Sequence, residues 1–324
     1  MYSSNQLLEK VNQALDNLVY DRQPQGLYEP IKYELSLGGK RLRPVLMLLS
    51  YNMYKEDVES IMMQALGLEI YHNFTLLHDD VMDRADVRRG KPCVHKVWDD
   101  NTAILSGDTM MVDSFIRMQQ CDSTHLPAVM EVFSQTALEI SEGQQYDMEF
   151  ESRNDVKEEE YLEMIRLKTS VLLACAVKIG ALLGGATSED ADALYVFGER
   201  IGLAFQLQDD YLDVYGDFSV FGKRIGGDIL CNKKTYMLIN AFERANKEQR
   251  KELESWISRT EYDPQEKIDA VTRLYNEIGI RELCDQKINE YFQLAEQSLQ
   301  KVSLPQEKKS QLWNYVLQLI NRQS

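Results

Sequence analysis

Two acidic clusters share one spacing. In LLHDDVMDRADVRRG, Asp79, Asp80 and Asp83 stand at i, i+1 and i+4. At about 100° per residue they share roughly a quarter of a helix circumference, so three carboxylates project into one space. Like charges about 4 Å apart cost roughly 1 kcal/mol in water and more at lower dielectric, so such a cluster calls for a cation. Carboxylate oxygens suit Mg2+, which usually keeps waters and recruits phosphate oxygens. One DDxxD is as well read as a solvated helix end, but a second occurs in FQLQDDYLDVYGD. There Gln206, Asp209, Asp210 and Asp213 form a single polar stripe on a helix whose earlier part is apolar. Two core helices ending in the same acidic spacing can face each other, hold several metal ions and let a diphosphate complete the coordination.

Cations accompany both clusters. Gly38-Gly39-Lys40-Arg41-Leu42-Arg43-Pro44 joins glycines that permit close backbone approach to basic side chains, just before an apolar helix. Arg88 and Arg89 come after the first cluster, Lys168-Thr169 opens an apolar helix, and Lys223 and Lys233 come after the second. In a chain of net charge −16, this placement predicts phosphate pockets, with Arg as a fork and Lys as a point charge.

The elements that must position these residues read as helices throughout. No proline lies between Pro127 and Pro264, and apolar residues recur with a 3.6-residue period, as in Leu7, Val11, Leu15 and Leu18. Strand signals are missing. The segments 61–77 and 194–207 are apolar on nearly every side, the mark of bundle-centre helices, and Gly198 and Gly202 would let the second approach a neighbour closely. The Pro24 to Pro30 stretch reads as a loop. With no linker, repeat or low-complexity tract, we expect one all-α domain over 1–324, a large helical bundle with a central cavity between core helices.

Composition excludes several classes. A strongly acidic chain repels nucleic acid and anionic membrane. Five cysteines, at least 28 residues apart and odd in number, argue against a zinc site and against a secreted disulfide framework, so a reducing cytoplasm is expected. The longest near-apolar run, 171–186, is 16 residues and is broken by Lys178, so no membrane insertion is expected.

GGKRLRP, DDVMDRADVRRG, the Lys168-Thr169 pair, QLQDDYLD and GGDI with Lys233 after it occur here in an order and spacing that resemble the trans-isoprenyl diphosphate synthases, or polyprenyl synthetases. The resemblance implies a Mg2+-dependent, homodimeric enzyme that condenses isopentenyl diphosphate with an allylic diphosphate. It implies three Mg2+ held by Asp79, Asp80, Asp83, Asp209 and Asp213, with Asp210 nearby. It assigns Arg88, Lys168, Thr169, Gln206, Lys223 and Lys233 to the allylic substrate, and Lys40, Arg43, His72 and Arg89 to isopentenyl diphosphate. His72 also lies about 10.5 Å before Asp79 by helix rise, on the same face. By the same resemblance, the released diphosphate takes the final proton, so no protein general base is assigned.

An aromatic five residues before the first DDxxD, with no insertion inside it, implies a short product in the family, and Phe74 stands there. A small Thr75 beside it tilts the expectation toward geranylgeranyl (C20) over farnesyl (C15) diphosphate. An ideal helix turns Phe74 about 180° from the centre of the Asp face and Thr75 about 80°, so this reading rests on the resemblance and not on helix geometry. A class I terpene cyclase and a noncatalytic subunit of a heteromeric prenyl synthase are the alternatives. Isopentenyl-type recognition by GGKRLRP and the second DDYLD argue against the first, and the retention of all six aspartates argues against the second.

Overall fold

The computed structural model describes residues 1–216 and 225–320, and almost all regular structure among them is helical. Internal contacts group the chain into two compact units. One comprises 1–134, 175–192 and 303–312; the other comprises 135–174, 193–302 and 313–324.

In the first unit the helix Met62–Met82 is central and buries Ala65, Leu66, Leu68, Ile70, Tyr71 and Leu77. The helix Asp100–Met118, capped by the Asp99 side chain on Thr102 N, packs along it. Close approach is possible because Gly107 has no side chain: a Cβ there would collide with His78 Nε2. The helix Gln25–Ser36 covers the same core with Ile31 and Leu35. Here the structure corrects the sequence reading, since PQGLYEP is mostly helix and Pro30 sits inside it. Burying Pro30, Ile31 and Leu35 outweighs the loss of one backbone hydrogen bond.

A second departure from an all-helical reading is a two-residue antiparallel pairing, Val87–Arg88 with Lys91–Pro92. Its turn is Arg89-Gly90, with φ of 51° and 76°, the positive pair that matches a tight hairpin to strand twist.

The helix Glu158–Ile165, in the second unit, runs through a π-helical turn, Arg166–Ser170, into Val171–Gly184, whose residues from Cys175 on belong to the first unit. This run, 158–184, is the one described stretch long and apolar enough to cross a membrane, with a mean hydropathy of 1.6, yet 78% of that window is buried within the protein. The helix Ser188–Tyr215 carries the second acidic motif at its C-terminal end.

Candidate active site

The first acidic motif occupies a helix C-terminus. Asp79 and Asp80 lie in the last turn of Met62–Met82 and Asp83 is its C-cap, with no basic residue in that turn. The helix dipole there is already negative, so three carboxylates are doubly in need of cations. Arg88, delivered by the hairpin, answers one of them: its Nε lies 3.1 Å from both oxygens of Asp80 and its Nη2 lies 2.5 Å from Oδ1. Asp80 is buried behind this fork. Cys93 lies beside it, and burial, reinforced by Asp80, pushes its thiol up to about 12.

Glu34, from the helix Gln25–Ser36, is also buried in this neighbourhood, and neither carboxyl oxygen has a hydrogen-bond partner among the described residues. Burial, then Asp80, raise its pKa to about 7 against the pull of Arg89, Arg88 and Arg41.

The basic loop that precedes Leu42–Asn52 is held from inside. Arg41 adopts a left-handed conformation, buries its guanidinium against Glu69 at 2.8 Å and donates to the Leu35 carbonyl at 3.1 Å. The sequence groups Arg41 with the phosphate-facing cations; the structure turns it inward, onto Glu69, as the pin of this loop. Arg89 donates to the Gly38 carbonyl, and Gly39 beside it has a φ of 140°, a conformation that favours glycine. Lys40 is exposed at the tip. Arg43 is pushed down to about 10, chiefly by burial, with Arg89 adding to the effect. His72 falls well below its ordinary range through burial and the surrounding Arg43, Arg89, Arg88 and Arg41, so its imidazole is neutral near pH 7. The result is a cluster of arginines with one neutral donor-acceptor ring, chemistry suited to a polyanion.

The second motif lies in the last turns of Ser188–Tyr215. Again the middle aspartate is the buried one. Asp210 accepts from the Tyr161 hydroxyl and from Gln206 Nε2 at 3.1 Å, while Thr169 Oγ1 donates to Gln206 Oε1 at 3.2 Å. Burial, with Asp228 adding, raises the Asp210 carboxyl to about 7 against Lys233, Tyr161 and Gln206. Asp213 Oδ2 accepts from Asp228 N at 2.9 Å, which caps the short helix Gly227–Leu230. Lys233 approaches Asp228 at 4.0 Å; burial lowers its pKa, but Asp228, Asp210, Asp147 and Asp209 together raise it above the usual lysine range.

Lys168 and Thr169 sit in the π turn, which two glycines accommodate. A Cβ on Gly143 would collide with Lys168 N, and one on Gly202 would lie 2.5 Å from Ser170 Cα. Lys168 pairs with Asp147 at 2.5 Å. Lys223 lies outside the described residues.

The donor set of each acidic cluster fits Mg2+ in a particular way. Among the described residues no three acidic, imidazole or thiol groups converge into a ready-made cage. Carboxylates at a negative helix end suit an ion that takes one or two protein ligands and fills its octahedron with water and phosphate oxygens.

Comparison with known proteins decides the family. A model of the polyprenyl synthetase family matches residues 24–277. The chain belongs to that family. A geranylgeranyl diphosphate synthase of Methanosarcina mazei is 45% identical over 239 residues, 73% of this chain and 74% of the relative. A geranylgeranyl pyrophosphate synthase of Geoglobus acetivorans is 36% identical over 311 residues, 95% and 93% of the two chains. A crystal structure of a geranylgeranyl pyrophosphate synthase superposes with a TM-score of 0.95 at 43% identity, covering 100% of both chains.

For a polyprenyl synthetase, the residues that sequence reasoning missed are Tyr161, Asp147, Asp228 and Glu34. GGDI and GGKRLRP were visible motifs, but the roles of Asp228 and Arg41 within them depend on tertiary partners. Phe74 shares a helix face with Tyr71 and His78, ring centroids 5.2 and 4.8 Å away, and packs against the core that holds Ile70, Leu77 and Met110. Thr75 Oγ1 donates to the His72 carbonyl at 2.8 Å.

Proposed function

We propose that this polyprenyl synthetase is a trans-prenyltransferase, one catalytic domain over 1–324, that condenses isopentenyl diphosphate with an allylic diphosphate and releases geranylgeranyl diphosphate. The observation that carries the reading is the duplicated helix-end DDxxD: each has its middle aspartate tied down and basic side chains beside it. Each motif supplies carboxylates for the metal ions that the reaction needs. By family resemblance Asp79, Asp80, Asp83, Asp209 and Asp213 bind the metal, with Asp210 nearby, and Asp80 and Asp210 also hold Arg88 and Gln206. Bound Mg2+, three ions by family resemblance, neutralises charge on the departing diphosphate.

Arg88, Lys168, Lys223 and Lys233 bind that group and stabilise it as the allylic C–O bond breaks and its electron pair leaves with the diphosphate. Thr169 and Gln206 turn oxygen dipoles toward the allylic carbocation. Lys40, Arg43, His72 and Arg89 hold isopentenyl diphosphate so that its double bond attacks the cation, and the released diphosphate accepts the proton then lost.

Incubation with Mg2+, isopentenyl diphosphate and dimethylallyl, geranyl or farnesyl diphosphate, with product sizing afterwards, tests the reading. Accumulation of the C20 product is expected. A stop at C15 would overturn the chain-length assignment, and no condensation with any starter would overturn the activity.

The enzyme acts as a homodimer in the cytoplasm. Support comes from exposed apolar residues Leu105, Val112 and Ile116 on one helix, which a second copy would cover, and from five cysteines that form no disulfide. Recovery in the membrane fraction of lysed cells would overturn the location.

A further inference from the structure

Lys267 is buried, with no carboxylate partner among the described residues. It lies in the helix Pro264–Ile278, is 0% exposed, and its Nζ donates to Asn232 Oδ1 at 2.7 Å and to the Leu230 carbonyl at 3.3 Å. The same ammonium stands 4.3 Å over the Tyr262 ring, whose hydroxyl donates to that same carbonyl at 3.2 Å. A buried ammonium without a counter-charge is unfavourable unless its donors are used, and both acceptors here belong to one turn, residues 226–233. The neighbouring Ile268 holds the other end, because a Cβ on Gly226 would lie 2.6 Å from its Cδ1.

That turn carries two groups of the allylic half-site. Its Asp228 N–H binds the Asp213 carboxylate, and its last residue, Lys233, donates from its backbone to the Asp228 carbonyl at 3.0 Å. Asn232 immediately before it is in the left-handed region with φ of 54°, and its side-chain amide also donates to the Ile257 carbonyl at 3.2 Å. The direction in which Lys233 leaves the turn is thus fixed at Asn232, the residue that Lys267 grips.

We propose that Lys267 is a positioning residue that, through Asn232 and the Leu230 carbonyl, aims Lys233 at the allylic diphosphate. The proposal rests on the function assigned above to that lysine. It makes Lys267 act on one substrate and through one partner, which a general contribution to stability would not do.

A double-mutant cycle on the full chain tests it, with Lys267→Met, Lys233→Ala and the pair. Lys267→Met is expected to raise KM for geranyl diphosphate about tenfold and leave KM for isopentenyl diphosphate within about twofold; added to Lys233→Ala it should change the geranyl diphosphate KM by less than about twofold. Independent, multiplying effects, or equal rises for both substrates, would overturn the proposal. If Lys267→Met does not fold, Asn232→Gly takes its place, since it removes the acceptor and keeps the left-handed backbone, and the same non-additivity is expected. Calorimetric binding of inorganic pyrophosphate with Mg2+ runs the same cycle without turnover. Wild-type protein that binds pyrophosphate but condenses nothing would sink the enzymatic reading alone, whereas binding unaffected by Lys267→Met would sink the positioning role alone.

Discussion

At the scale of single residues, the six aspartates divide by burial. Asp80 and Asp210 are buried and held by Arg88 and by Tyr161 with Gln206, so each shapes its own cluster from behind. Replacing Asp79 with Ala is expected to lower condensation by about 10²–10³-fold, while circular dichroism and the melting temperature hold, because one like charge leaves a negative helix end. Near-normal turnover would remove Asp79 from the metal site.

Glu34 gives a pH prediction. Its folded pKa of about 7 lies above the ordinary 4.5, so its contribution to stability is fully present below about pH 4.5 and is lost as pH rises through 7. Glu34→Gln, which does not titrate, should therefore gain on the wild type between pH 5 and pH 8 by something on the order of 3 kcal/mol in urea unfolding with EDTA present. Parallel pH curves for the two proteins would show that Glu34 is ionised in the fold.

At the scale of elements, the π turn depends on the absence of two side chains. Gly202→Ala drives a methyl into Ser170 and is expected to cost about 1–3 kcal/mol and to reduce kcat, since the displaced turn carries Lys168 and Thr169. A melting curve and activity identical to wild type would show that the turn can yield. Sequence could not reveal this feature, because the apolar period runs on through 158–184 without marking an extra residue. The DDxxD motifs were legible since their spacing and charge are local. The partners of the middle aspartates were not: Arg88 arrives on a hairpin whose turn is set by two positive φ values, and Tyr161 lies 49 residues before Asp210. The helix around Pro30 was hidden for a related reason, as burial of its neighbours overrode a local breaker.

At the scale of the whole molecule, chain length and assembly are the open readouts. Phe74→Ala is expected to extend the product beyond C20, visible by chromatography of the dephosphorylated alcohols; an unchanged length would leave Phe74 as packing against Tyr71 and His78. Light scattering should give twice the 37.5 kDa of one chain, and Leu105→Glu with Val112→Glu should halve that mass. A monomeric wild type would overturn the dimer.

The swollen turn at 166–170 has an implication for how such a site can arise. A residue added to a regularly wound helix rotates the upstream segment by roughly 100° relative to the downstream one, whereas a π turn absorbs it locally. Deleting one residue here would relax the backbone to ordinary winding and re-aim the side chains of the turn, while the Glu158–Ile165 segment, with Tyr161, keeps its phase. The rod would survive, yet the lysine and threonine would address different neighbours. A single codon gained or lost at this point is therefore a local dial: it can retune which side chains meet without changing the scaffold that carries them.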